Sequence, residues 1–273
     1  MKGSEHEAQR GLPYGVQDLD AGGMLDHSLY LFRDNFKLIV LAYCAFSLPL
    51  NLLAIASVVY LQHAYHFFTT PLAYESLDRF NLVNSVNNVL HFLVSYPFSA
   101  AAVIYGIGIR YFGGKASFFD CVKVAFRRWP ACFATSLLYA VMMGVGAMLC
   151  ILPGIVAYLV FYLALPVLIL ERVSPIEALS RSRKLMQGFL LITLLLSTVV
   201  SIAGVPFGAI LVSFPNFLVS MTLVLLFGNV LSFFHMVLSV VIYTTARCHG
   251  ESMDLDLVAD RVDEPLVAEG AVL

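Results

Sequence analysis

The chain has 273 residues, 60% hydrophobic and 12% charged, with a net charge of −2. A soluble domain carries about 25% charged residues, so water is excluded as the solvent for most of this surface. The absence of a bulk basic field excludes a general nucleic-acid binder. Five cysteines stand apart, none in a C-x-x-C pair, and are expected to act as small hydrophobes without disulfides.

A helix needs about 20 apolar residues to cross the hydrocarbon core. The N-terminal residues 1–23 are polar and are expected to be disordered, with no signal-peptide pattern ahead of the first apolar run. Charge-free runs then cover 38–61 and 82–109. Two longer runs, 131–170 and 189–246, are each about twice a span. The first is expected to turn at Leu152-Pro153-Gly154, because Pro lacks the amide that a helix interior needs. The second is expected to split near Phe214-Pro215-Asn216, with an alternative break at Gly204-Val205-Pro206-Phe207-Gly208. Pro49, Pro97, Pro166 and Pro206 predict kinks within spans. From Glu251 onward seven acids accompany Arg261 alone, so 250–273 is expected to be an acidic disordered tail.

Basic residues orient the spans. Lys2, Arg10, Arg33 and Lys37 precede span one; Arg110, Lys115, Lys123, Arg127 and Arg128 follow span two. Arg172, Arg181, Arg183 and Lys184 follow span four; Arg247 and Arg261 follow span six. Arg79 alone falls on the other side. The positive-inside rule then puts both termini in the cytoplasm, in a multi-pass protein of the inner membrane. The fold class is an all-α polytopic membrane bundle over 24–249, of about six transmembrane helices.

Three cytoplasmic segments look alike: 25–33, 119–127 and 176–184. In each, an acid precedes a base by seven residues, as in Asp26 and Arg33, Asp120 and Arg127, Glu177 and Lys184. They read as three short interfacial amphipathic helices, each preceding a two-span hairpin, or as three ordinary amphipathic linkers. In the third, Ser174, Pro175 and Glu177 form a helix start with a capping box.

No Asp, Glu, Lys or Arg lies inside the apolar runs, which argues against carboxylate-coupled transport and intramembrane aspartyl chemistry. The polar exceptions are Asn84, Asn87, Asn88 and His91 in span two and Asn229 and His235 in span six. Asn88, His91 and His235 are the candidate intramembrane polar cluster, with interhelical hydrogen bonding as the plainer reading. His63 and His66, with Glu75 and Asp78, have metal-ligand chemistry, but the spacing fixes no third ligand, and no metal site or cofactor is assigned. Metalloprotease, nucleophile-elbow, phosphate-loop and dinucleotide motifs are missing, so no catalytic residue is assigned. Small residues four apart (Ser136, Ala140 and Gly144; Ala102 and Gly106; Gly204 and Gly208) mark faces where helices can approach closely, within the bundle or in a homo-oligomer. Lys123, Arg127, Arg128, Arg181, Arg183 and Lys184 are the candidate contacts to anionic lipid headgroups, at about 1 kcal/mol per base; fixing topology alone would also account for them.

The run from Ser117 to Leu195 carries Leu152-Pro153-Gly154-Ile155, then Pro166-Val167 leading to Glu171, then Ala178-Leu179-Ser180-Arg181-Ser182 with Leu185 and Gly188. This resembles the membrane domain associated with bacterial glycerophosphoryl diester phosphodiesterases and related six-span families, with Arg183 where an aromatic is usual. In fused members of that family the phosphodiesterase activity belongs to a separate soluble domain. The resemblance therefore implies a membrane module without its own catalysis, whose partners are the bilayer, anionic lipids, a membrane complex or further copies of itself. The other reading from the residues is a small transporter for an uncharged or amphiphilic substrate. The threading predicts that reporters fused at Tyr74 and at Ala116 localise to opposite sides of the membrane; both on one side would refute it.

Overall fold

Apolar sequence with few internal breakers favours helix wherever the backbone must satisfy its own hydrogen bonds. The computed structural model describes residues 19–65, 74–214 and 216–251; helices joined by short turns make up these residues, with no strand among them. Six helices are long and apolar enough to cross a membrane: Phe36–Tyr60, Asn81–Tyr111, Phe118–Leu149, Ile151–Leu170, Leu190–Val212 and Leu218–His249, here spans one to six. The shortest, span four, has 20 residues, about 30 Å of helix and enough to cross the hydrocarbon.

Span two is the hub. Of its most apolar window 67% is buried, against 22% for span three. The run Ala100-Ala101-Ala102-Val103 is fully enclosed. Small side chains there let neighbouring backbones close in, which is what drives helix association where lipid is as apolar as leucine. Gly106 lies under Leu38 and Cys121, and Gly108 under Leu170. All five cysteines are free.

The proline sites resolve in three different ways. Pro49 and Pro97 each follow a π-helical turn, Tyr43–Ser47 and His91–Ser95. In each turn an amide reaches back five residues, Leu48 to Tyr43 and Tyr96 to His91. The wider turn makes room ahead of a residue that cannot donate. The two turns face each other, with Ser47 Oγ 2.9 Å from Ser95 Oγ and 3.2 Å from Ser99 Oγ. Pro166 follows an irregular turn at 161–163 that divides span four into Ile151–Val160 and Ala164–Leu170. Pro206 sits inside an unbroken helix, so span five runs to Val212 and the break at Gly204–Gly208 does not occur. Span five ends at Val212 and span six begins at Leu218, where Asn216 Oδ1 accepts from the amides of Leu218 and Val219; Pro215 lies outside the described residues.

The turn between spans three and four differs from expectation. The chain leaves the helix at Cys150, whose φ of −172° is extended, and re-enters at Ile151. Pro153 and Gly154 therefore begin span four rather than end span three. The first turn of a helix has no partner for its amides, so proline costs nothing there. Gly154 instead serves close approach: a Cβ on it would meet the Cα, Cβ and N of Ala147 at 3.0 Å. Gly146 faces it, also 3.0 Å from backbone. Gly144 and Gly208, read above as packing positions, have nothing within 4 Å.

Of the three similar segments, two form separate short helices, Ala21–Asp34 and Pro175–Leu185. The first is capped by Asp20 and buries Met24, Ser28 and Leu31, one stripe at helical spacing, with Phe32 5.7 Å from Phe234 of span six. Its first turn includes Ala21, Gly22 and Gly23, so structure begins earlier than the expected boundary at 24. The second segment is no separate helix. Ser117 and Asp120 form a capping box, and the helix runs unbroken from Phe118 to Leu149, with 119–127 as the first turns of span three. The expectation of three short helices thus fails at its middle member, because nothing between Arg127 and Cys132 stops the helix; Pro130 is accommodated inside it. The expected tails outside 19–251 lie outside the described residues, as does His66; His63 falls in the helix Leu48–Tyr65, and Glu75 and Asp78 fall in the helix Tyr74–Leu90.

Replacing Gly154 with Leu is expected to separate spans three and four and lower stability by about 1–3 kcal/mol, while Gly144→Leu stays near wild type. Thermal unfolding of the detergent-purified variants measures the difference, and equal effects at both sites would contradict the packing described.

Candidate functional sites at the basic end and at mid-depth

Two places gather polar chemistry. The first is the bundle end where spans two, four and six finish and span three begins. Asn35, 1% exposed between the N-terminal short helix and span one, donates to Leu31 O at 2.9 Å and accepts from Arg110 Nη1 at 2.7 Å. Arg110 Nη2 donates to Ala116 O at 3.2 Å, which ties the segment before span three to the same guanidinium. Across the end face, Glu171 closes span four. Its Oε2 lies 3.2 Å from Arg181 Nε, and its Oε1 accepts from Tyr243 OH at 3.0 Å and lies 3.9 Å from Arg247 Nε. Arg247 also donates to Tyr243 OH at 3.0 Å and stands over that ring. One carboxylate, its side chain 15% exposed, thus collects two guanidiniums and a phenol from the linker helix Pro175–Leu185 and from span six.

This geometry sorts the basic residues expected at headgroups. Lys123, Arg127, Arg183 and Lys184 are exposed, Arg128 is half-buried, and Arg181 is half-buried against Glu171. Arg181, among the residues expected at headgroups, is thus engaged in an ion pair with Glu171. Arg247, unassigned from sequence, belongs to the same network. Beside Lys123 and Arg127, span three adds Phe126, Trp129 and Phe133 to an aromatic stack with Phe46 and Phe98; Trp129 lies 5.5 Å from Phe98.

The second place is a cavity of about 170 Å³ between spans two, three, four and six. Its lining includes Tyr96, Tyr139, Tyr158 and Tyr162, with Thr135, Ser136, Ser232, His235 and Ser239. These positions lie near the middle of their helices, so the cavity sits at mid-depth. None of its lining residues is Asp, Glu, Lys or Arg. Tyr162 OH lies 3.4 Å from His235 Nδ1 and donates to His235 O at 3.3 Å. Thr135, Ser232 and Ser239 bond carbonyls of their own helices. Ser136, 3% exposed, has no partner for its hydroxyl.

The sequence-derived polar cluster is divided. His235 lines the cavity, whereas His91 and Asn88 do not. His91 lies beside Asn229 of span six, which donates to Leu225 O at 2.7 Å, and Asn88 is exposed. Asn87 makes the bond to span one, donating to Ser57 Oγ at 2.9 Å. Asn88, His91 and His235 therefore form no single site, since one residue of helix is 100° of rotation and separates Asn87 from Asn88. Among the described residues no three His, Cys, Asp or Glu side chains come together as a metal site would require.

Removing a partner from a buried ion pair strands the opposite charge. Glu171→Gln removes the carboxylate that faces Arg181 and Arg247 and is expected to cost on the order of 2 kcal/mol, with Arg181→Gln and Glu171→Gln less than additive in a double-mutant cycle. The exposed Glu177→Gln is the control. Additive losses read by thermal unfolding in detergent would remove the pair from the account.

No family model matches the chain, and neither a curated protein nor a solved structure matches it.

Proposed function

We propose that this membrane protein is a non-catalytic module of the inner membrane that engages anionic lipid at its basic end, with both termini in the cytoplasm. The observation that carries the reading is the placement of Lys123, Arg127, Arg183 and Lys184, which are exposed at the end of the bundle where Glu171 and Asn35 organise the chain. Positive side chains beside an aromatic stack match an anionic surface on one side and acyl chains on the other. The short helices Ala21–Asp34 and Pro175–Leu185 are read as lying along that interface. The resemblance to the phosphodiesterase-associated membrane domain agrees with a module without its own catalysis, serving a membrane complex or an assembly of its own copies.

The mid-depth cavity favours a second reading, a small transporter for an uncharged or amphiphilic substrate. A transporter needs a polar site near the bilayer centre, and the cavity supplies one without a charged wall.

Each base near an anionic leaflet contributes about 1 kcal/mol. The triple substitution Lys123→Gln, Arg183→Gln and Lys184→Gln is expected to reduce retention of phosphatidylglycerol by roughly tenfold or more in native mass spectrometry, leaving phosphatidylcholine retention unchanged. Equal retention of both lipids by the wild type would overturn the leading reading.

A further inference from the structure

Packed protein interiors leave few voids larger than a water molecule. A cavity of about 170 Å³ at the meeting of four spans is therefore a specific departure from packing. An apolar cavity of about 150 Å³ suffices to hold a benzene ring. The space here is matched to one six-membered ring, and the rings of Tyr139, Tyr158 and Tyr162 give it aromatic walls; adjacent centroids lie 6.4 and 5.7 Å apart.

No carboxylate, ammonium or guanidinium stands on these walls. A charged ligand would enter with no counter-charge at a depth where desolvation is most costly. Ser136 adds the point of specificity. Buried hydroxyls are almost always hydrogen-bonded. Ser136 stands on the cavity wall with its hydroxyl unpartnered, although Thr135 beside it bonds back to Ala131 O. The route in is set by Ser232, which lines the cavity and is also exposed on span six. The cavity thus communicates with the flank of the bundle at mid-depth, where the surroundings are acyl chains.

We propose that this cavity is a binding site for an uncharged, ring-sized molecule bearing a hydrogen-bonding oxygen, which enters from the bilayer and is held by Ser136 among the tyrosines. The inference names the ligand class for the transporter reading and rests on the same cavity. It is independent of the basic end. Binding without transport would end the transporter reading and leave the site standing.

The test uses the full chain in nanodiscs with 4-fluorophenol and fluorobenzene as ¹⁹F probes, both neutral at pH 7. Saturable line broadening, displaced by unlabelled p-cresol, separates site binding from partitioning into lipid. The wild type is expected to bind 4-fluorophenol more tightly than fluorobenzene. Ser136→Ala is expected to weaken 4-fluorophenol by about fivefold to tenfold, the worth of one hydrogen bond, and to leave fluorobenzene unchanged. Ser136→Leu fills the space and is expected to abolish both. Ser232→Phe, at an exposed position outside the core, blocks the mouth and is expected to slow exchange of both probes, which keeps the proposal open to refutation if Ser136→Leu fails to fold. The proposal is overturned if the wild type shows no saturable broadening, or if Ser136→Ala and Ser232→Phe both behave as the wild type.

Discussion

Hydrocarbon offers no hydrogen-bond partner, so every amide and carbonyl along the six spans has to be satisfied within the protein. Each proline in a span removes one amide and obliges the structure to answer. Spans one and two answer with paired π turns whose serines bond to each other across the interface. Span four answers by changing helix geometry. Ala164 N turns to Phe161 O, which releases Val160 O from its ordinary partner four residues on. The linker helix then supplies the replacement, with Ser182 Oγ donating to Val160 O at 2.9 Å. A surface segment thus completes the backbone of a membrane span.

That repair gives the basic end its rigidity. Ser182 reaches span four from the same helix on which Arg181 reaches Glu171, so the linker helix is held at two adjacent residues by one span. Phe161, one residue beyond the repaired carbonyl, lines the mid-depth cavity. The two sites described above, one at the basic end and one at mid-depth, thus meet at the irregular turn at 161–163, where the i→i−4 ladder of span four is interrupted.

The span count was legible because it rests on length and on the distribution of lysine and arginine, both one-dimensional properties. The break between spans five and six was legible for the same reason: a breaker pair in the sequence falls where a span's length runs out. Pro153-Gly154 offered the same composition and misled. Proline marks either side of a helix boundary, and only the extended backbone at Cys150 decides which side. The middle short helix misled because an acid–base spacing of seven says nothing about where a helix stops. Ser47 and Ser95 each precede a proline by two residues, and this repeated Ser-x-Pro was the available signal for the π turns. Reading it required knowing that spans one and two pack at the same depth.

The sites were less legible, for a reason rooted in how polar groups were sought. A search for ionisable side chains inside apolar runs finds nothing here, and a search for polar side chains on one helix face finds Asn84, Asn88 and His91. The cavity is built otherwise. Its hydroxyls come from four helices, one or a few from each, and half of them belong to tyrosines, which count among the hydrophobic residues in composition although each carries a donor. Glu171 was visible at the edge of span four but without a partner, since Tyr243 and Arg247 lie more than seventy residues on. Convergence of separated spans is a property of packing. The sequence pattern specifies which helices exist, and the small residues of span two decide how closely they meet, so both sites follow from contacts that no single helix contains.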